Sequence, residues 1–371
     1  MPDAELCSWA PGRANLIGEY TDVAEGFVLP VALELRTWAM GRAGGPALRI
    51  RSLDEPGDVE VDLPSKHGPD HGWGAYATGV VRARDDSKMA ATGFVGVIAS
   101  DVPQGAGLSS SAALEVALAM AMLPDGAGST RGPSMAEIAV ACRRAENVYV
   151  GVQSGIMDQL SSAAGVAGHA LLIDCRSLEV RLVPIPQGIS ILVVDSGVRR
   201  SLTDGRYNEV RRDLDEAARL LAVPTLRDVS VADLGRASDA GLLEGSVLAR
   251  ARHIVTENQR TLDAADALDT GDLTGVAGLF AGSHRSLRDD LRVSVPELDA
   301  LVEIAMATPG VVAARMTGAG FGGCTVNLVR ADAAASAATA IVAEYQRRTG
   351  NVARSWVSAA GAGAGRQRIG V

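Results

Sequence analysis

Hydrophobic and polar positions follow two different patterns in the two halves of the chain. In the first half, short β-branched apolar runs bounded by glycine or proline predict strands over Thr92–Ser100 and Ile189–Val194. Longer runs without helix breakers predict helices over Ser111–Leu123 and Ser134–Val150, and the second of these starts with the S-x-x-E spacing of a capping box. Strands and helices therefore alternate in this half.

The second half is dominated by leucine, alanine and charge pairs at helical spacing. Its predicted elements are helices over Tyr207–Leu221, Gly245–Leu268 and Val295–Ala307, and strands over Val311–Met316 and Thr325–Val329. Because the pattern changes near Gly197, we predict an N-terminal domain over residues 1–197 and a C-terminal domain over residues 198–371. The segment Ala359–Gly365 reads AAGAGAG and predicts a linker-like tail in preference to a tight β turn.

Composition restricts the class of protein. The chain has 371 residues, of which 47% are hydrophobic and 21% charged, enough to build two packed cores. The net charge of −9 and the 4% aromatic content argue against nucleic acid or an anionic membrane as partner. There is no apolar leader and no run of about 18 apolar residues, so we expect a soluble, cytoplasmic protein. The cysteines lie far apart and are expected to be buried free thiols: Cys7, Cys142, Cys175 and Cys324.

The segment Gly105–Ser111, here called the phosphate loop, reads GAGLSSS between a predicted strand and a predicted helix. Such a turn points backbone N–H groups at an anion, and the helix macrodipole adds about half a positive charge there. The only lysines, Lys66 and Lys88, lie in neither of the lysine-containing nucleotide motifs. Serine hydroxyls and a Mg²⁺ ion can take the place of a lysine. The alternative is a glycine turn followed by an ordinary serine N-cap.

A second glycine cluster, Thr317–Cys324, reads TGAGFGGC and contains a formal G-x-G-x-x-G. A dinucleotide site requires a helix after the glycines, whereas the strand pattern CTVNLV follows here. We therefore predict a hairpin that approaches another backbone or a ligand, here called the glycine hairpin.

The segment Pro11–Asp22, here called the signature segment, reads PGRANLIGEYTD. It places Arg13, Glu19 and Asp22 around an apolar Leu-Ile pair, with a turn expected at Gly18. Carboxylates and a guanidinium are the groups that specify hydroxyls of a polar ligand bound between apolar walls. A solvated charged loop is the alternative.

These three segments, in this order and at these spacings, resemble the GHMP kinase family and, within it, the galactokinases. Two further segments are similar to the same family, VGVQSGIMDQLSSAAGVAGHALLIDCRSL and SHRSLRDDLRVSVPELDALVEIA, so the resemblance extends from Ala10 to Val329. It implies a two-domain α+β GHMP kinase fold, with an N-terminal ribosomal-S5-like α/β domain, a C-terminal α+β domain, and the active site between them. It also implies transfer of the ATP γ-phosphoryl group to the anomeric 1-hydroxyl of galactose, with Mg²⁺ as cofactor. The expected partners are ATP and a small sugar, and the expected state is a monomer or weak homodimer.

The resemblance also implies roles for individual residues. Asp158 and Arg13 are implied as catalytic residues. The implied sugar-binding residues are Glu19, Tyr20, Thr21, Asp22, Asp158 and Tyr207. The implied ATP-binding residues are Gly105, Ala106, Gly107, Leu108, Ser109, Ser110 and Ser111. Ser111 and Glu146 are implied as Mg²⁺ ligands, and a hydroxyl with one carboxylate suits that ion. The alternatives are a surface helix residue for Glu146, a helix N-cap for Asp158 and a packing residue for Tyr207.

Three departures from the family pattern concern the sugar side. Tyr20 stands where a histidine is usual, Val23-Ala24 replace Tyr-Asn, and Gln153-Ser154 replace Asn-Cys. Tyr20 and Val23 leave open a GHMP sugar kinase for another sugar, such as N-acetylgalactosamine. A non-catalytic sensor of sugar and ATP is a third possibility, against which the complete phosphate loop and Asp158 argue.

Overall fold

The structure is a computed structural model that describes residues 4–65, 67–124, 132–199 and 205–369; Lys66 lies outside these ranges. In the described ranges, every helix is too short or too polar to cross a membrane. The strands are β1 (Leu6–Asn15), β2 (Phe27–Val28), β3 (Pro30–Ala43), β4 (Ala47–Ser52), β5 (Asp58–Asp62), β6 (Phe94–Ser100), β7 (His169–Asp174), β8 (Val180–Pro184), β9 (Ile189–Asp195), β10 (Val311–Thr317), β11 (Cys324–Arg330), β12 (Arg354–Ser358) and β13 (Gly365–Arg368).

Helices follow or separate these strands. They are α1 (Gly72–Asp86), α2 (Ser110–Ala121), α3 (Met135–Arg144), α4 (Met157–Ala164), α5 (Arg206–Leu220), α6 (Val231–Asp239), α7 (Gly245–Thr270), α8 (Leu273–Ser286), α9 (Pro296–Ala307) and α10 (Ala334–Thr349). Two π-helical turns continue α3 and α8, namely Ala145–Val150 and Leu287–Leu291, and 3₁₀ turns lie at Asp22–Ala24 and Leu226–Asp228.

The first sheet has the order β13-β1-β3-β6-β4-β5, and only β4 and β6 pair in parallel. Helices α1, α2 and α4 pack against it, and Leu48, Phe94, Val116 and Ile138 lie in the core between the layers. Strand β5 reads DVEVD with both valines buried and all three carboxylates exposed. This alternation is what a strand needs when one face of its sheet is covered and the other meets water.

The second sheet has the order β10-β11-β9-β12 and is antiparallel throughout, while β2, β7 and β8 form a third. The burial of strand β9 on both sides explains why its residues from Ile191 to Val194 are all apolar. Ile191 and Val193 enter one core cluster, and Leu192 and Val194 enter another. Both faces of the strand are therefore covered, and alternation with polar residues is not required.

The observed elements agree closely with the sequence pattern. All the predicted strands and helices have counterparts whose ends differ by at most two residues, except the helix over Ser134–Val150. That helix begins with the predicted capping box, in which Ser134 and Glu137 bond reciprocally. It ends as an α-helix at Arg144, and the chain continues as the π-helical turn. All four cysteines are buried and free, as predicted.

The prediction of a tail over Ala359–Gly365 was wrong. Gly361 donates its N–H to Ala32 O at 2.8 Å, and Gly363 donates to Gly165 O at 2.7 Å. The segment is thus hydrogen-bonded to the body of the protein, with Ala360, Gly361 and Gly363 buried, and it leads into β13, which pairs with β1. The glycines allow one backbone to pass directly against another.

The division at residue 197 stays a prediction, and the strand pairing does not follow it. Strand β9 precedes that residue but lies inside the second sheet, between β11 and β12. Strand β13 comes from the end of the chain and completes the edge of the first sheet. The two parts of the chain are therefore interlaced, and the three segments singled out above can meet.

Candidate active site

Arg13 joins the signature segment to two other parts of the molecule. The start of the segment continues β1, and a bulge between Pro11 and Arg13 shifts the register and redirects the side chain. Its Nε and Nη2 lie 2.8 and 2.7 Å from Asp158 Oδ1, and its Nη1 donates to Gly107 O at 2.7 Å. Only 5% of Arg13 is exposed, so these charge-assisted contacts form away from bulk water.

Ser109 brings the phosphate loop to the same carboxylate. Its Oγ donates to Asp158 Oδ2 at 2.5 Å. The residue has left-handed backbone angles, φ 59° and ψ 47°, and its hydroxyl does not cap helix α2. Because the hydroxyl turns to Asp158, the first N–H groups of α2 are left without a side-chain cap, as an anion-binding helix start requires. Asp158 thus receives Arg13 on one oxygen and Ser109 on the other.

Asp22 lies next to this pair. A Cβ on Gly155 would be 1.9 Å from Asp22 Oδ2, so the carboxylate packs directly on the glycine backbone. Burial, and then the negative charge of Asp158, raise the pKa of Asp22 to about 6. Two carboxyl groups therefore lie close together, and the charge of Arg13, which contacts Asp158, opposes the rise in the pKa of Asp22.

Tyr20 and Tyr207 form an aromatic pair beside Asp22. Their ring centroids are 5.6 Å apart with an interplanar angle of 37°. The Tyr20 hydroxyl donates to Ala319 O at 2.7 Å, which ties it to the glycine hairpin. Burial, and then the charge of Asp22, raise the pKa of Tyr207 to about 12, so its hydroxyl stays protonated.

Glu19 points into the interior. Its carboxylate forms an ion pair with Arg315 and accepts the N–H of Gly318 at 3.0 Å. Burial raises its pKa, against the opposing effect of Arg315. Thr21 is also fully buried, and its hydroxyl lies 2.8 Å from Gly18 O and 2.6 Å from Phe27 O. Glu19 and Thr21, which were expected to bind the sugar, are thus both buried, and their side chains bond to other groups of the protein.

The glycine hairpin packs against the backbone of the phosphate loop. It connects β10 to β11, as predicted. A Cβ on Gly318 would lie 3.6 Å from Gly107 O, and a Cβ on Gly323 would lie 3.6 Å from Ala106 O. Cys324 Sγ donates to Ala106 O at 2.9 Å. The hairpin approaches another backbone, and that backbone is the phosphate loop.

Glu146 stands at the other end of the phosphate loop, on the π-helical turn after α3. Ser111 Oγ donates to Glu146 Oε1 at 3.1 Å. Only 6% of Glu146 is exposed, which excludes the alternative of a surface helix residue. Burial raises the pKa of this carboxyl group. A π-helical turn of this kind is frequent at functional sites because it displaces one side chain from the helical register.

Comparison with known proteins shows the family to which this chain belongs. The model of the galactokinase galactose-binding signature matches residues 2–43, and the models of the GHMP kinase N-terminal and C-terminal domains match residues 75–166 and 264–347. The chain is 44% identical over 375 residues to the galactokinase of Homo sapiens, covering 98% of this chain and 92% of that protein. It belongs to the galactokinase family.

Other galactokinases extend the comparison. The galactokinase of Chloroflexus aggregans is 44% identical over 361 residues, covering 95% of this chain and 91% of that protein. The crystal structure of Lactococcus lactis galactokinase complexed with galactose matches with a TM-score of 0.89 and 32% identity, covering 98% of this chain and 95% of that one. The mevalonate kinase of Methanococcus jannaschii, at 17% identity and a TM-score of 0.68, shares the fold. The two-domain α+β GHMP kinase fold is thus confirmed, and the chain is a kinase.

Two arginines that contact the residues described above were not singled out from the sequence. Arg199 donates to Gly105 O at 3.3 Å and pairs with Asp195 at 3.0 Å, so a guanidinium lies at the rim of the phosphate loop. Arg315 is the buried partner of Glu19. The scarcity of lysine was the available signal, because cationic roles must then fall on arginines next to the glycine-rich segments.

Proposed function

We propose that the protein transfers the γ-phosphoryl group of ATP to the anomeric 1-hydroxyl of D-galactose, giving galactose 1-phosphate and ADP. The observation that carries the proposal is the convergence on Asp158: Arg13 of the signature segment and Ser109 of the phosphate loop contact its two oxygens. An acceptor hydroxyl bound there is within reach of both a proton acceptor and a phosphate-binding helix start. The galactokinase relatives favour galactose as the acceptor.

In this proposal the sugar O1 attacks the γ-phosphorus as the bond to the β–γ bridging oxygen breaks. The proton of the 1-hydroxyl passes to Asp158, and Arg13 stabilises the charge that develops on the transferred group. Phosphoryl transfer has a loose transition state, so alignment and charge neutralisation contribute most of the acceleration. The 25% exposure of the Asp158 side chain leaves it an approach for the hydroxyl.

Sugar recognition is assigned to the groups beside Asp158. Asp22 is proposed to accept hydrogen bonds from ring hydroxyls, and the Tyr20–Tyr207 pair to form an apolar wall next to it. The single proton of the Tyr20 hydroxyl is committed to Ala319 O, so Tyr20 contributes its ring. Glu19 acts from the interior, where it holds the hairpin residue Gly318 in place.

We propose Mg²⁺ as the cofactor, with Ser111 and Glu146 as its ligands. In the described residues, no three His, Cys, Asp or Glu side chains are grouped so as to hold a metal. The pair therefore fits an ion that takes its remaining ligands from ATP phosphates and water, as Mg²⁺ does. Its chemical contribution is to neutralise charge on the β- and γ-phosphates.

The test is ATP consumption with Mg²⁺ against a panel of acceptors: D-galactose, 2-deoxygalactose, N-acetylgalactosamine, glucose, arabinose and mevalonate, with a blank that lacks an acceptor. A rate with galactose far above the others is expected. A higher rate with another sugar would overturn the assignment of galactose and indicate that Tyr20 has changed the specificity. Bound ATP without turnover on any acceptor would indicate a sensor instead.

A further inference from the structure

The two oxygens of Glu146 have different surroundings. Oε2 accepts hydrogen bonds from Ser154 Oγ at 2.6 Å and from Gln159 Nε2 at 2.9 Å. Within the described residues, Oε1 accepts a hydrogen bond from Ser111 Oγ alone, at the longer distance of 3.1 Å. One oxygen is thus saturated by donors, while the other faces the phosphate loop with acceptor capacity remaining.

The Ser154 hydroxyl has one hydrogen, and the geometry assigns it to Glu146. Ser154 Oγ also lies 3.0 Å from Asn147 Oδ1, which is the longer of its two contacts with acceptors. Asn147 holds the Ser154 backbone from both sides, because its Oδ1 accepts the N–H at 3.0 Å and its Nδ2 donates to the C=O at 3.1 Å. The hydroxyl is therefore presented to Glu146 from a fixed backbone.

Gln159 is fixed in a different way. Its side chain is fully buried, and Nε2 donates to Glu115 Oε2 at 3.2 Å as well as to Glu146. The amide stands between two buried acidic side chains, and its nitrogen, which carries two hydrogens, donates to one oxygen of each. If Gln159 turned away, Glu115 Oε2 would lose its donor and Glu146 Oε2 would keep only the Ser154 hydroxyl.

We propose that Ser154 and Gln159 are positioning residues that occupy Oε2 of Glu146, so that this carboxylate binds the divalent cation through Oε1 alone. The inference rests on the proposed cation site at Ser111 and Glu146. A carboxylate held in this way coordinates one position of an octahedral ion and leaves the others to phosphate oxygens and water. Partners that orient a ligand typically change metal affinity by about 10- to 100-fold when they are removed.

The experiment measures how strongly the cation and the nucleotide favour each other's binding. Titration calorimetry gives the Kd of a non-hydrolysable ATP analogue with saturating Mg²⁺ and with EDTA, and the ratio of the two values is the coupling factor. In Ser154→Ala and Gln159→Met, the coupling factor is expected to fall about tenfold or more, with the Kd in EDTA unchanged. The Mg²⁺ concentration that half-saturates the rate should rise in parallel, and the KM for galactose should not.

Control variants distinguish a failure of this inference from a failure of the proposed cation site. Ser161→Ala removes a buried serine hydroxyl from the same helix as Gln159, and since that hydroxyl bonds to Met157 O, the coupling factor should stay parental. Ser154→Cys keeps the shape but offers a weaker donor, and should lie between parent and Ser154→Ala. Ser154 is in a loop, so its variants test the inference independently of packing around Gln159. Parental coupling in both Ser154→Ala and Gln159→Met would overturn the inference. Parental coupling in Glu146→Gln would instead overturn the cation site on which the inference depends.

Discussion

Replacing Arg315 by methionine is expected to destabilise the protein by about 3–5 kcal/mol, because it leaves Glu19 buried without its cation. The side chains of Arg315 and Glu19 are 0% and 2% exposed, so water cannot take over the role of the guanidinium. Arg315 Nη1 also donates to Leu16 O at 2.9 Å, and an unpaired buried carbonyl adds about 1–3 kcal/mol to such a loss, so the upper part of the range is expected.

The stability lost in Arg315→Met depends on pH, and the pKa of Glu19 determines the direction of this dependence. Burial already raises the pKa of Glu19 in the parent, and removal of Arg315 removes an opposing effect. In Arg315→Met the folded state therefore keeps a proton that the unfolded state has released. The stability of the variant falls as pH rises above the ordinary pKa of glutamate, about 4.3. The difference from the parent is consequently smallest in acid and largest at neutral pH.

Urea unfolding followed by tryptophan fluorescence provides the measurement, on the parent, Arg315→Met, Glu19→Gln and the double variant. The double variant has no buried charge at this position and should be more stable than Arg315→Met alone. A loss below about 1 kcal/mol in Arg315→Met, which is typical of an exposed pair, would refute the reasoning. So would a double variant no more stable than Arg315→Met.

Three further predictions concern enzyme activity, the pH dependence of stability and the backbone conformation of two glycines. Asp158→Asn should lower kcat by about 10²–10⁴ with unchanged ATP affinity, and steady-state kinetics within about tenfold of the parent would exclude its role. Burial, and then the charge of Glu146, raise the pKa of Glu115 well above its usual value, so the parent should lose stability as pH rises above about 4.3. Glu115→Gln should reduce this dependence of stability on pH. Urea unfolding midpoints measured between pH 4.5 and 8 test this, and the parental slope in the variant would contradict it. Gly278→Ala, in the exposed part of α8 with open space around it, should gain about 0.5–1 kcal/mol in thermal unfolding. Gly320→Ala should lose more than about 1 kcal/mol, since its φ is +74° and a Cβ would lie 2.3 Å from Val293 O; equal midpoints for the two glycine variants would contradict this account.

Local patterns predicted the parts of this fold whose causes are local. The capping box at Ser134 and Glu137 depends on two residues three positions apart, and the structure confirms it. The apolar run of β9 predicted a strand because it is short, rich in β-branched residues and followed by Asp195-Ser196-Gly197. The glycine hairpin was distinguished from a dinucleotide site by the strand that follows it. Each of these inferences needed only a short window of sequence.

The errors and omissions have a common physical origin in contacts between distant parts of the chain. A run of glycine and alanine is typical of a flexible tail, but it is equally what two crossing backbones require. A Cβ on Gly363 would lie 2.5 Å from Gly165 N, and one on Gly361 would lie 2.5 Å from Leu33 O. Arg315 and Glu19 are far apart in the sequence. The residues around either one do not indicate that the two side chains form an ion pair.

Tyr20 shows how closely the signature segment is bound to the C-terminal part of the site. It has φ 64°, a left-handed conformation that costs a non-glycine residue roughly 1–2 kcal/mol. Glycine would relieve that strain, but it would remove the hydrogen bond to Ala319 O and the ring pair with Tyr207. The residue before it has its carbonyl in contact with His253 Nε2 at 3.1 Å, so the turn is fixed on both sides. A strained residue that persists under such constraints is typical of a functional site. Here the left-handed turn at Tyr20 lies between Glu19, which pairs with Arg315 in the interior, and Asp22, which lies beside Asp158.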